Sequence, residues 1–98
     1  MSKAYLVVDA KSTDPERMVE YRRLSSIAVE KFGGRFLARG GPYEVLEGNW
    51  QPQRLVVIEF ESREKAKAFY DSPEYVAARQ ARAGVSSFDM VLVEGYSM

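Results

Sequence analysis

"KAYLVVDA", residues 3–10, has the period of a β-strand and is largely apolar on both faces. Its side chains divide between two faces, with Ala4, Leu6 and Val8 on one and Tyr5, Val7 and Asp9 on the other. An antiparallel sheet in a small domain usually turns one polar face to water. A strand that is apolar on both sides therefore predicts that helices cover one face and that a second sheet covers the other.

The next segment has the signals of a helix start. "TDPERM", residues 13–18, offers Thr13 or Asp14 as the N-cap, with Pro15 in the first turn and Glu16 placed for a capping box with Thr13. The apolar stripe expected to face the core is Tyr21, Leu24, Ala28 and Phe32, and Gly33-Gly34 follows it. Val19 and Ile27 lie off this stripe and are predicted to be scattered surface residues.

Residues 35–47 and 54–61 predict the next two strands as a long hairpin, with Gly48, Asn49, Trp50 and Pro52 in the turn. The first strand is interrupted by "GGP", residues 40–42. Proline has no backbone donor and paired glycines favour a bulge or kink, so a regular ladder is not expected there.

Ser62 is the expected cap of a second helix that buries Ala66, Phe69 and Tyr70, and Ser72-Pro73 is expected to start a further short helix. "SSFDMVLVEGY", residues 86–96, predicts the last strand. The order indicates one α+β domain over residues 1–98, a ferredoxin-like βαββαβ fold with helices on one face of an antiparallel sheet. The uncovered face predicts a homodimer in which two sheets pack together, a dimeric α+β barrel.

Composition excludes several functions. The chain has 14 basic and 14 acidic residues, so no nucleic-acid partner is expected. It has no apolar run long enough to span a bilayer and no basic segment followed by an apolar one at its start, which predicts no membrane association and a cytoplasmic location.

The sequence contains no cysteine and no histidine. Thiol nucleophiles, zinc sites of the Cys/His kind and a Ser-His-Asp triad are therefore excluded, and neither a metal nor a cofactor is expected. Asp9 and Asp89 are the candidates for a catalytic base, because a carboxylate buried in an apolar strand has a raised pKa. The alternative is that each is a strand-end residue in water.

Four ordered blocks resemble an uncharacterised family, the domain of unknown function numbered 1330. They are "FLARGGPYEVLEGNW", "RLVVIEF", "AFYDSPEY" with Arg82 behind it, and "LVEG" near the C-terminus. The matching positions are Arg39, Gly40, Gly41, Glu47, Gly48, Trp50, Ser72, Pro73, Tyr75, Arg82 and Glu94. The resemblance implies the dimeric α+β barrel superfamily, which also contains cofactor-free monooxygenases of the antibiotic-biosynthesis type. It implies no settled activity.

The candidate ligand-binding residues are Arg39, Gly40, Gly41, Trp50, Tyr70 and Arg82. Glycines let a ligand approach the backbone, and a guanidinium suits a carboxylate or phosphate, so a small organic acid is the expected ligand, with Trp50 over it. The alternatives are that Arg39 pairs with Glu44 or Glu59, that Trp50 packs at the barrel rim or dimer interface, and that Arg82 pairs with an acidic residue.

Three classes of function stay open at this point. They are a small-molecule binding protein, a cofactor-free enzyme by analogy with the superfamily, and a structural dimer without a ligand. A buried carboxylate in the pocket would favour the enzyme. A pocket with only arginines and aromatic residues would favour binding, and a filled interior would exclude both.

Overall fold

The computed structural model describes residues 2–96, which form four strands and three helices. In chain order these are β1 (Ala4–Ser12), α1 (Pro15–Lys31), β2 (Arg35–Arg39), β3 (Leu55–Phe60), α2 (Arg63–Asp71), α3 (Pro73–Ala81) and β4 (Ser86–Glu94). The predicted βαββαβ order is therefore confirmed, with the second helix divided in two.

The strands form one antiparallel sheet in the order β2-β3-β1-β4. β1 lies inside the sheet, where Leu6 stands opposite Ile58 of β3 on one side and Leu92 of β4 on the other. All three of these side chains belong to the same hydrophobic core or pack against it. The strand that predicted the fold thus pairs along both of its edges.

Local signals set the helix boundaries. Asp14 is the N-cap of α1, and its carboxylate accepts hydrogen bonds from the backbone N–H groups of Glu16 and Arg17 at 3.1 and 3.3 Å. Thr13, the other predicted cap, instead donates its hydroxyl to the Val85 carbonyl at 3.4 Å.

Ser72 separates α2 from α3. Its buried hydroxyl accepts from the Tyr75 N–H at 3.1 Å and donates to the Phe69 carbonyl at 2.7 Å. The same residue therefore ends one helix and caps the next, as the Ser72-Pro73 pair predicted.

The core lies between the helices and one face of the sheet. From β1 it receives Leu6, Val8 and Ala10, and the rings of Phe60, Phe69 and Tyr75 are almost completely buried in it. The Phe69 and Tyr75 ring centroids are 4.4 Å apart. Val19 and Ile27 are 59% and 50% exposed, which confirms that they are surface residues.

The opposite face of the sheet carries apolar side chains with no helix over them. They are Tyr5, Val7, Leu55, Val57, Val91 and Val93. Val91 and Val93 are 60% and 49% exposed. We call these six residues the outer face.

The hairpin differs from the prediction. β2 ends at Arg39, eight residues before the predicted end at Glu47, and residues 41–51 are exposed without strand structure. Gly40 adopts a φ of 73°, a left-handed conformation that a ladder does not accommodate. The glycines and proline therefore end the strand, while the observed bulge lies earlier, between Phe36 and Ala38.

Tyr70 also differs from the prediction, since it is 37% exposed where it was expected to be buried.

Within residues 2–96, no helix has the length and apolar character needed to cross a membrane.

Candidate functional site

A cavity, called here the central cavity, lies between the helices and the inner face of the sheet. Its walls include Tyr21 of α1, Phe36 of β2, Tyr75 of α3 and Phe88 of β4. It leaves about 30 Å³ for the centres of water-sized molecules, which is room for about two waters. The interior of this fold is therefore close to filled but not closed.

The central cavity continues into a wider surface depression, called here the outer groove. Met18, Arg22 and Arg54 line both spaces, and Gly40 and Gln53 line the outer groove alone. The outer groove leaves about 250 Å³ for the centres of water-sized molecules. A small molecule in this groove would meet the arginines first and the aromatic walls behind them.

Arg39 lies at this junction because of the bulge in β2. Phe36 stands opposite Ile58 and Arg39 opposite Val56, so one extra residue, Leu37, is accommodated between them. The extra residue shifts the alternation, and Arg39 turns toward the helices. Its guanidinium carbon lies 3.9 Å from the centroid of the Phe36 ring.

Three guanidinium groups converge on the mouth of the central cavity. Arg39 donates to the backbone carbonyl of Arg22 at 3.1 Å, and Arg54 donates to the carbonyl of Arg39 at 3.5 Å. In the described chain, no ion pair joins a carboxylate to any of the three. Because no carboxylate among the described residues pairs with them, the site has an uncompensated positive charge. Partial burial, followed by the charges of Arg54 and Arg22, lowers the pKa of Arg39.

Neither expected partner of Arg39 pairs with it. Glu59 lies 3.2 Å from Arg35 and 3.5 Å from Lys3, and Glu44 is in the exposed segment. The Tyr5 hydroxyl also donates to Glu59, at 3.2 Å, so three donors satisfy this carboxylate on the outer face, away from the central cavity.

Two tyrosine hydroxyls form the polar part of the cavity wall. The oxygens of Tyr21 and Tyr75 are 2.7 Å apart, and the Arg82 guanidinium lies 5.3 Å from the Tyr21 ring and 3.8 Å from the Phe88 ring. Burial, and then the neighbouring Tyr75, raises the pKa of Tyr21. The Tyr21 hydroxyl therefore stays protonated at neutral pH and can donate a hydrogen bond.

The two candidate bases lie elsewhere. Asp9 is buried, but its carboxylate accepts from the backbone N–H groups of Gln53 and Arg54 at 2.9 and 3.3 Å. Asp89 stands opposite Asp9 in the ladder, is exposed and forms an ion pair with Lys11. Asp9 thus holds the start of β3 in place. This structural role differs from both expectations for Asp9, a catalytic base and a strand-end residue in water.

The predicted ligand-binding residues divide into two sets. Arg39 lines the central cavity, Gly40 lines the outer groove, and Arg82 contacts two rings of the cavity wall. Gly41 and Trp50 are in the exposed segment, with Trp50 60% exposed. Tyr70 lines a separate depression with Ala66 and Leu92.

Sequence reasoning missed Arg22, Arg54 and Tyr21 as site residues. Arg22 had a usable signal, because it falls at helical spacing among Met18, Ser25 and Val29, all three of which are buried. A basic residue on the buried stripe of a helix indicates an internal charge. Arg54 had no such signal, since it follows a turn and precedes a strand.

A family model matches residues 3–96 of the chain, that of the domain of unknown function DUF1330. The chain belongs to this family. Comparison of the DUF1330 chain with curated proteins found no match in sequence. Within residues 2–96, no group of three or more acidic, histidine or cysteine side chains is arranged to hold a metal ion.

Solved structures share the fold of the DUF1330 chain at low identity. A protein of unknown function from Rhodopseudomonas palustris is 15% identical with a TM-score of 0.76, covering 99% of this chain and 85% of that one. A dimeric ferredoxin-like protein of unknown function from Jannaschia sp. CCS1 is 14% identical with a TM-score of 0.68, covering 95% and 99%. SnoaB, a cofactor-independent oxygenase from Streptomyces nogalater, is 11% identical with a TM-score of 0.59, covering 100% and 97%.

Proposed function

We propose that this DUF1330 chain binds a small organic acid at the central cavity of a homodimeric α+β barrel. The observation that carries the proposal is the convergence of Arg22, Arg39 and Arg54 at the cavity mouth without a carboxylate partner among residues 2–96. Like charges held together in a partly buried site repel one another, and an anion relieves that repulsion.

The donor geometry supports a carboxylate in particular. Arg39 uses one of its five N–H donors on the Arg22 carbonyl, and its plane is held against Phe36. A guanidinium oriented in this way can meet a carboxylate with two parallel hydrogen bonds. Behind it, Met18, Phe36 and Phe88 supply apolar walls for the rest of a small ligand.

The homodimer is supported by the outer face. Its six apolar side chains include Val91 and Val93, which are half-exposed or more. A second copy of the same sheet would cover this face by aligned sheet packing. The Jannaschia protein of the same fold is dimeric.

Binding is favoured over catalysis by the composition of the cavity wall. The described residues that line the central cavity are arginine, tyrosine, serine and apolar side chains, with no carboxylate among them. A cofactor-free enzyme that removes a proton needs a base within reach of its substrate. The likeness to SnoaB keeps the enzyme as the alternative, and a structural dimer without a ligand is the second.

The test is calorimetric titration with propionate, benzoate, inorganic phosphate and the neutral analogue benzamide. Carboxylates are expected to bind wild-type protein, and Arg39→Gln or Arg54→Gln is expected to weaken that binding about tenfold or more, since a charged hydrogen bond contributes about 1.5–3 kcal/mol. Arg35→Gln is the matched control, because it lies in the same strand and pairs with Glu59 instead.

Binding of benzamide as strong as that of benzoate would contradict an anion site. Unchanged carboxylate affinity in both Arg39→Gln and Arg54→Gln would contradict the assigned location. No binding of any compound would favour the structural dimer.

We also propose, on the sequence alone, a cytoplasmic location and no nucleic-acid partner.

A further inference from the structure

The Tyr21 and Tyr75 hydroxyls form a hydrogen-bonded pair, and both residues line the central cavity. Each hydroxyl carries one proton, and the 2.7 Å bond between the two oxygens uses one of the two protons. Within the described part of the chain, the other polar group beside the pair is the Arg82 guanidinium, which can donate to the Tyr21 oxygen but cannot accept a proton. One proton of this buried pair is therefore left without a protein acceptor.

Arg82 adds a further donor to the same corner. Its terminal nitrogen donates to the Ser86 hydroxyl at 3.3 Å, while its buried Nε has no partner among residues 2–96. The guanidinium is held between the Tyr21 and Phe88 rings, at 5.3 and 3.8 Å from their centroids. A buried donor without an acceptor is costly, so this corner favours an oxygen atom brought by a ligand or by water.

The central cavity is therefore rich in donors at two places. The arginines Arg22, Arg39 and Arg54 surround its mouth, and Tyr21 and Tyr75 form part of its inner wall. Phe36, Met90 and Val56 supply apolar surface to the same space. A ligand that satisfies both places needs two separate oxygen acceptors on a short carbon skeleton.

We propose that the Tyr21–Tyr75 pair, supported by Arg82, is a second recognition point that selects oxo acids over simple carboxylic acids. The carboxylate of the ligand binds at the arginines, and its carbonyl oxygen accepts the free tyrosine proton. This inference rests on the proposed function, because it assumes that the carboxylate binds at the cavity mouth. Tyr21 and Tyr75 are specificity residues in this assignment, and no bond is made or broken.

The size of the cavity agrees with a short ligand. Space of about 30 Å³ for the centres of water-sized molecules, or about two waters, admits a carbonyl group and few further atoms. A site built to hydrogen-bond a ligand oxygen rejects the analogue without it, because its buried donors are then left unpaired. The preference for an oxo acid should consequently be large.

The experiment measures affinity ratios within two matched pairs, pyruvate against propionate and levulinate against valerate. Wild-type protein is expected to bind the oxo acid at least about tenfold more tightly in at least one pair. Tyr21→Phe and Tyr75→Phe are each expected to lower that ratio while the oxo-free acid keeps its affinity, because each removes either the free proton or the hydroxyl that orients it. The variant that loses the donating hydroxyl should bring the ratio close to one. Tyr96→Phe, which changes a tyrosine that is 89% exposed, should keep the wild-type ratio.

The outcomes separate this inference from the proposed function. Carboxylate binding that depends on Arg39 but shows no preference for the oxo acid in either pair would overturn the inference and leave the proposed function intact. A preference that persists in both tyrosine variants would also overturn it. Binding of no carboxylate at all would overturn both. If the deeply buried Tyr75→Phe variant does not fold, an undiminished preference in Tyr21→Phe, at a less buried position, overturns the inference.

Discussion

The guanidinium of Arg39 lies 3.9 Å from the centroid of the Phe36 ring, although the two residues are three positions apart in one strand. In a regular strand, residues three apart point to opposite faces. The bulge at Leu37 removes this conflict, because it places Phe36 and Arg39 opposite Ile58 and Val56 on the inner face. A single extra residue therefore determines which face of the sheet carries the cation.

Phe36→Leu should weaken acid binding by about twofold to fivefold, because an aromatic ring holds a guanidinium with about 0.5–1 kcal/mol. Titration calorimetry with benzoate measures the effect. Leu37→Ala, which shortens an exposed side chain on the bulge, is the control and should bind as wild type. Equal affinities in all three proteins would show that Phe36 does not orient Arg39.

Gly40→Ala should destabilise the protein by about 1–2 kcal/mol, because an L-residue is strained at a φ of 73°. It should also weaken acid binding, since the added Cβ would clash with the Arg54 guanidinium and displace it. Gly41→Ala has no neighbouring atom within 4 Å and no positive φ, so it should be nearly neutral. Thermal denaturation and titration of both variants check this. Equal losses in the two would contradict the assignment of strain to Gly40.

Asp9→Ala should cost about 1–3 kcal/mol of unfolding free energy, because two backbone donors, those of Gln53 and Arg54, lose their acceptor. Asp89→Ala should cost less than about 1 kcal/mol, since it removes an exposed ion pair. Urea denaturation of the two variants gives the comparison. A larger loss in Asp89→Ala would refute the structural role assigned to Asp9.

The stability of the wild-type protein should contain a pH-dependent contribution from Tyr21. Burial raises the pKa of Tyr21 above its ordinary value of 10.0, so the folded chain holds this proton more tightly than the unfolded chain. The contribution is complete below pH 10.0 and declines as the pH rises above it. The difference in unfolding free energy between wild type and Tyr21→Phe should therefore shrink in alkaline solution. A difference that stays constant with pH would contradict the burial of this hydroxyl.

Val91→Glu should dissociate the proposed dimer, because it places a charge on the outer face, where Val91 pairs with Val7. Ile27→Glu introduces the same charge at an equally accessible apolar residue on α1 and should leave the dimer intact. Analytical ultracentrifugation distinguishes twice the chain mass from the chain mass. A wild-type monomer, or a dimer that only Ile27→Glu dissociates, would show that the outer face is not a dimer interface.

The sequence by itself determined the order and type of the elements, because those signals are local. The alternation of residues 4–9, the cap at Asp14 and the Ser72-Pro73 junction each act within a few residues, and each is present in the structure. Arg39 and Gly40 also stood out, since a glycine that interrupts a strand pattern indicates a special backbone conformation.

Only the tertiary structure decided which side chains share the cavity. Arg22 comes from α1, Arg39 from β2 and Arg54 from the position just before β3. The Tyr21–Tyr75 hydrogen bond joins α1 to α3 across 54 positions of the chain. The early end of β2 and the register at Leu37 depend on pairing with β3. Strand register and contacts between distant side chains depend on non-local interactions. Such interactions leave no periodic pattern in the sequence.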